Sequence, residues 1–182
     1  ARLVGSEMCI RDRIITTSAG LWSYNIGDTI KFTSLEPFRI IVTGRIKHFL
    51  SAFGEHVISE EVEKAMEAAT KLHNVAIREF TVAPNINPKE MLPHHEWYVE
   101  FESLPKDMLV FSKALDKEMT RLNIYYKDLI DGKILKSLEV ISVIRGGFNQ
   151  YMKSEGRLGG QNKVPRLSND RKIADKLKTI NS

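Results

Sequence analysis

Between Thr43 and Glu63 the sequence Thr-Gly-Arg-Ile-Lys-His-Phe-Leu-Ser-Ala-Phe-Gly-Glu-His-Val-Ile-Ser-Glu-Glu-Val-Glu changes character from one short segment to the next. Any fold has to accommodate a joint there. A β-rich run, Phe38-Arg39-Ile40-Ile41-Val42, ends at Gly44. Arg45 and Lys47 then flank one apolar residue, and a second apolar run (Phe49, Leu50, Phe53) leads to a turn at Gly54. Ser59 offers an N-cap, with Glu60, Glu61 and Glu63 placing negative charge on the first helical turn, where the helix dipole favours it. The order is strand, charged joint, hairpin-like element, capped helix. A surface loop with solvated charges would have the same composition, so the joint acquires meaning only from its neighbours.

At 182 residues and 42% hydrophobic, the chain can hold one domain with its own core and part of a neighbour. No apolar run approaches a membrane span and no leader pattern precedes the first element, so the chain reads as soluble and cytoplasmic. A formal charge of +4 suits a phosphate-bearing ligand but is too small to point to nucleic acid. Residues 1–13, with Glu7-Met8-Cys9-Ile10-Arg11-Asp12-Arg13, resemble the translation of a transposon end used in preparing sequencing libraries and are read as a non-native scar. Setting them aside removes the one cysteine, Cys9, and every disulfide, thiolate or Cys–metal reading with it. The remainder is expected to be the C-terminal part of a longer protein.

Leu21–Tyr24 is aromatic and strand-prone, Asn25-Ile26-Gly27-Asp28 reads as a turn, and Thr29–Thr33 alternates as a strand. A carboxylate at Asp28 can accept two hydrogen bonds, the geometry that grips the vicinal hydroxyls of a ribose; it is equally an ordinary turn residue. Residues 59–72 predict a helix with Val62, Ala65, Met66, Ala69 and Leu72 on one face. Asn74–Val82 predicts a strand, and a loop with Pro84, Pro88 and Pro93 follows. His95–Glu102 predicts a strand with Trp97, Val99 and Phe101 packed and Tyr98, Glu100 and Glu102 on a polar face. His94-His95 lacks further ligands at metal-binding spacing. Asp107 caps a helix that ends near Asn123–Tyr126, and Leu138–Ile144 is a third strand. Gly146-Gly147 leads a short helix, and Gly156, Gly159 and Gly160 precede Lys163. A last helix runs from Asp170, with Ile173, Leu177 and Ile180 on one face. The pattern is α+β, one sheet with helices packed on it. Lys163 follows glycines without the spacing of a phosphate loop, and taken alone it is one more surface lysine of a basic tail.

Several motifs occur together in order: Tyr24-x-x-Gly27-Asp28, Gly44-Arg45-x-Lys47, Gly54-Glu55, Asn123-x-x-Tyr126, Gly132-x-x-Leu135, Leu138-Glu139-Val140, Gly147-Phe148 and Gln161-x-Lys163-x-Pro165-Arg166. The set resembles the auxin-responsive-promoter family of acyl acid amido synthetases, a branch of the acyl-adenylate-forming, firefly-luciferase-like superfamily. The resemblance covers roughly residues 20–172. It implies that 14–45 is the β-hairpin edge of a large nucleotide-binding domain and 46–182 a small lid domain with one mixed sheet and packed helices. It implies that a carboxylic acid is activated with ATP and Mg2+ to acyl-AMP, and that an amine, typically of an amino acid, displaces AMP. It implies roles for Tyr24, Asp28 and Arg45 at the nucleotide, Lys47 as hinge, and Lys163 at the acyl carboxylate and α-phosphate. Glu55-His56 departs from the Asp-Lys of plant members, and Gly54-Glu55 is nearer the general superfamily. An acyl-CoA ligase is therefore an alternative, and a non-enzymatic basic α+β binding module is a third. No phosphate-binding loop occurs between Ile14 and Ser182, so this part alone is expected to be inactive, with ATP and Mg2+ held mainly by sequence upstream. Neither nucleic acid nor membrane is expected as a partner.

Overall fold

Two kinds of periodicity build this chain: β-branched alternation before the joint, and 3.6-residue stripes interleaved with short strands after it. The computed structural model describes residues 11–45, 49–157 and 163–181. The chain divides into two compact units, Ala1–His48 and Phe49–Ser182.

In the first unit β1 (Arg11–Ile15), β2 (Tyr24–Leu35) and β3 (Phe38–Arg45) form an antiparallel sheet in that order. The turn expected at Asn25–Asp28 does not form. β2 runs unbroken through it because β1, whose first three residues fall in the segment set aside as a scar, supplies ladder partners: Ile15 faces Tyr24, Ile14 faces Asn25 and Asp12 faces Thr29. Successive strand residues point to opposite faces, and Ile40, Ile41 and Val42 are 44%, 47% and 52% exposed. Both faces of the β2–β3 hairpin therefore carry exposed apolar side chains.

The second unit opens with a two-stranded hairpin, β4 (Phe49–Leu50) and β5 (Val57–Ile58), followed by α1 (Ser59–His73). Its sheet is β6 (Ile77–Asn85), β7 (His94–Phe101) and β8 (Glu139–Val143), with β7 in the centre. β6 runs antiparallel to β7, and β8 runs parallel to it. A parallel pair needs a long crossover. α2 (Met108–Leu122) and α3 (Ile124–Asp131) provide it. α4 (Gly147–Ser154) and α5 (Lys172–Asn181) complete the α+β arrangement, which is the mixed sheet with packed helices that the sequence predicts.

Strand alternation sends Trp97, Val99 and Phe101 into one core with Val62, Met66, Phe111, Leu115 and Met119 of α1 and α2. Tyr98 goes into a second core with Val143, Phe148, Tyr151, Ile173 and Leu177 under α4 and α5. The polar face expected for β7 is thus not solvated, and all eight residues of the strand are buried. Glu100 lies beneath the start of α4, where its carboxylate accepts the N–H groups of Gly146 (2.8 Å) and Phe148 (3.3 Å) and sits against the positive end of the helix.

Other boundaries shift for local reasons. Ile58, not Ser59, occupies the N-cap of α1, and the Glu61 carboxylate accepts its N–H at 3.1 Å. Leu72 is 73% exposed; His73 takes the core-facing place, its ring 5.7 Å from that of Phe111. Asn74 ends α1 in the left-handed conformation, φ 50°, so the next strand starts later than expected. That strand also runs through Pro84 to Asn85: β6 is an outer strand of its sheet, where a missing N–H is tolerated. Asn123 does not sit inside the end of one helix. It caps a new one, accepting the N–H of Tyr126 at 2.8 Å.

At Gly147 a Cβ would stand 2.5 Å from Val143 Cγ1, and the β-branched valine cannot rotate away freely. Gly147→Ala is expected to cost about 1–3 kcal/mol, the usual range for overpacking, with partial recovery on adding Val143→Ala. Urea unfolding of the single and double variants measures both.

Candidate functional site

In the first unit the antiparallel register makes Asp28 and Arg45 direct Cα partners across β2 and β3. Residues separated by a hairpin and a turn in sequence thus stand level on adjacent strands. The register slips by one between Thr29 and Ile30, immediately beside this pair. Such a bulge sharpens the local twist. Tyr24 begins β2, opposite Ile15, and is 52% exposed. Lys47 lies outside the described residues.

In the second unit the segment after Lys163 is fastened along the outer edge of β6. Val82 N–H donates to Arg166 O (2.9 Å), Ser168 N–H donates to Val82 O (3.0 Å), and Leu167 forms a parallel bridge to Val82. Thr81 Oγ1 donates to Pro165 O at 2.7 Å. Val164 and Leu167 are buried, whereas Lys163 is exposed. Asn169 extends the attachment, its Oδ1 accepting Ser51 N–H at 2.9 Å. Arg171 donates to Pro84 O (2.8 Å) and to the buried Glu96 (2.7 Å). Tyr98 also donates to Glu96, at 2.7 Å. Burial raises the Glu96 carboxyl, but these bonds and the Arg171 charge outweigh it and hold the group below the usual carboxylate value. The motif around Lys163 is therefore a surface lysine at the start of an ordered strip.

Beneath the turn that follows β4 lies a buried polar network that sequence reading did not find. Glu55 is fully buried; its Oε1 lies 2.9 Å from His95 Nε2 on β7, and its Oε2 accepts Phe53 N–H at 2.7 Å. Asn123 Nδ2 donates to Glu55 O (3.1 Å) and to Glu61 Oε2 (2.9 Å). The His95 ring stacks on Tyr126, 5.2 Å between centroids. Tyr126 Oη in turn donates to Asp116 at 2.6 Å, and Asp116 accepts Leu138 N–H at 3.0 Å. The motifs Gly54-Glu55 and Asn123-x-x-Tyr126 each touch this network, but nothing in the sequence joined them. Gly54, at φ 89°, and His56, at φ 46°, turn the chain so that Glu55 points inward. The Glu55-His56 pair thus separates into a buried anchor and an exposed residue whose Nδ1 lies 3.2 Å from Ser51 Oγ.

His94 Nδ1 lies 3.1 Å from Leu92 O, and its Nε2 lies 3.3 Å from Glu139. Among the described residues, no group of three or more His, Cys, Asp or Glu could hold a metal ion, and no helix is long and apolar enough to cross a membrane.

The two glutamates of the network are pushed apart. Burial raises Glu55, but the His95 hydrogen bond and charge outweigh it, leaving the group below its ordinary 4.5. Burial raises Glu61 above 4.5 despite the bond from Asn123. Glu55 therefore contributes stability that is present above about pH 4.5 and lost as pH falls through its depressed value. Glu61 contributes stability present below 4.5 and lost as pH rises through its elevated value. Glu55→Gln is expected to cost about 1–3 kcal/mol at neutral pH, and its deficit should shrink in acid. Glu61→Gln should gain on wild type as pH rises. Urea titrations between pH 3 and 8 give both slopes, and parallel profiles for the two variants would contradict the assignment.

Residues 60–172 match the GH3 family C-terminal domain. The chain is 28% identical over 179 residues to the indole-3-acetic acid-amido synthetase GH3.4 of Arabidopsis thaliana, covering 90% of this chain and 29% of that protein. Its fold is similar to the solved structure of GH3.15 acyl acid amido synthetase (TM-score 0.70, 22% identity, 92% of this chain and 33% of that one). It is likewise similar to AtGH3.15 acyl acid amido synthetase in complex with 2,4-DB (TM-score 0.69, 21% identity, 92% and 32%). The chain thus spans about a third of the length of these relatives.

Proposed function

The chain belongs to the GH3 family, and from that membership we propose that it is the C-terminal part of an ATP-dependent acyl acid amido synthetase. The whole enzyme activates a carboxylic acid as acyl-AMP and transfers the acyl group to an amine such as that of an amino acid. The observation that carries the reading is the family match over residues 60–172, which includes Lys163 and the strip behind it. The named relatives are an indole-3-acetic acid-amido synthetase and an acyl acid amido synthetase, the latter also in complex with 2,4-DB. By analogy the acid here is a small organic acid, the second substrate an amine, and the setting the cytoplasm.

In this reading Asp28 accepts hydrogen bonds from the ribose hydroxyls of ATP and Arg45 assists, with Tyr24 at the nucleotide. The support is that Asp28 and Arg45 are level on adjacent strands. The acid and the α-phosphate are both negative, and charge builds up on the phosphorus oxygens as the carboxylate attacks. Lys163 offsets that charge during adenylation. Lys47 lies at the joint between 14–45 and 46–182 and is the hinge on which the smaller domain turns between half-reactions. Mg2+ would assist the triphosphate; the described residues offer it no ligand cluster. The thioester alternative rests on Gly54-Glu55. Burial of Glu55 against His95 accounts for that pair structurally, so no observation favours CoA.

In the full-length enzyme, Lys163→Ala should slow adenylation by on the order of 10²–10³-fold, as loss of one preorganised electrostatic contact does. Aminolysis of a supplied acyl-adenylate should fall far less. Arginine should restore little, because its planar head does not replace a compact ammonium. Single-turnover assays of both half-reactions decide this, and equal loss in the two would remove Lys163 from the role. Asp28→Ala should weaken AMP binding by about 1.5–3 kcal/mol for each charge-assisted bond lost, read by calorimetric titration.

A further inference from the structure

We propose that Arg166 is a positioning residue for the adenylation step: it fixes the point from which Lys163 leaves the folded strip. The inference rests on the adenylation role given to Lys163 above. Arg166 stands three residues after Lys163 and ties together what the backbone bridges do not. Its Nε lies 3.3 Å from Glu63 of α1, and its Nη1 is bonded to Glu79 of β6 and donates to Phe80 O at 3.1 Å. Its guanidinium carbon also lies 4.5 Å from the centroid of the Phe80 ring, over its face. One side chain therefore engages a helix, a strand backbone, two carboxylates and an aromatic face. A lysine at this position has a single cationic nitrogen and could not meet all of them at once.

A purely structural role explains less of this. The strip already has two backbone bonds to Val82, a side-chain bond from Thr81 and a buried Leu167. Those contacts hold the strip to the edge of β6 but act along one strand only. Arg166 adds a lateral tie to α1, which sets the angle of the strip about that edge. The angle matters for the exposed residue just ahead of buried Val164, because rotation of the strip is magnified at the end of a long lysine side chain. Catalysis is sensitive to such errors: a misplacement of about 1 Å can cost on the order of 10²-fold.

The test is a double-mutant cycle in the full-length synthetase, with Lys163→Ala, Arg166→Ala and the double variant assayed in each half-reaction. Arg166→Ala is expected to slow adenylation by about 10- to 100-fold. KM for ATP and for the acid, and the rate of aminolysis of a supplied acyl-adenylate, should be unchanged. In the Lys163→Ala background the same change should add nothing, because Arg166 acts through that lysine. Full additivity, equal loss in both half-reactions or no loss in adenylation overturns the proposal. If Arg166→Ala does not fold by thermal melting, Arg166→Lys, which retains one cation but not the fork, is put through the same cycle and judged by the same criteria. Lys163→Ala alone separates the two levels. If it leaves adenylation intact, the reading of Lys163 fails; if it abolishes adenylation while Arg166→Ala has no effect, only the positioning role fails.

Discussion

Strand β7 is buried on both faces while carrying His94, His95, Glu96, Tyr98 and Glu100, and this constraint organises the second unit. A buried charge without a partner costs several kcal/mol, more than most single packing contacts return. His95, Glu96 and Glu100 of β7 are each met by a group from another element. Glu55 of the turn after β4 reaches His95, and Arg171 just before α5 reaches Glu96. The first N–H groups of α4 reach Glu100, and Glu139 of β8 lies beside His94. Apolar burial favours covering the sheet but is not directional. The polar pairs select which segment covers it and in which orientation.

The same logic accounts for the tail. β6 would present an open row of backbone groups, a hazard that proteins cover with a loop or helix. Residues 165–168 cover it with a parallel bridge at Leu167 and a carbonyl at Pro165 for Thr81. Proline suits this place because its carbonyl is the group used, and its missing N–H leaves no donor to satisfy. The contacts that cover the edge also fix the residues just after Lys163.

Much of this was legible in the sequence wherever it depended on neighbours a few residues away. The stripes of α1 and α5 follow from 3.6-residue spacing, and Asp107 does cap α2, accepting the N–H groups of Leu109 and Val110. The fold class and the family resemblance likewise stand. What escaped depended on distant partners. The charges of β7 suggest a wet face unless Arg171 and the α4 N-terminus are already known to lie over it. Asn123 looks like a helix interior because Ile124, Tyr126 and Ile130 prolong the periodicity of α2; the signal for a break was its ability to cap. Asn25–Asp28 has turn composition, yet pairing with Ile14 and Ile15 keeps it extended. At the candidate site, the register that makes Asp28 and Arg45 cross-strand partners was not readable. Glu55 as an internal anchor was invisible, because a Gly-Glu turn looks the same whether its carboxylate faces water or a buried histidine.

A lysine that must deliver charge to a reaction faces two opposed demands. It has to stay hydrated and separate from the core, yet arrive in one geometry, since an electrostatic contact accelerates a reaction only if its orientation has been set before charge develops. In the role proposed for Lys163, position resolves the conflict. Val164 is buried and Pro165 is bonded just after an exposed Lys163, so the entropy of ordering the segment is met when the sheet folds. The anchor reaches further back, since Asn169 binds the Ser51 backbone and that turn is held from below by Glu55 and His95. Under the proposed role, the buried Glu55–His95 contact bears on Lys163 from a distance. It holds the turn, the turn holds the tail, and the tail sets where the lysine begins.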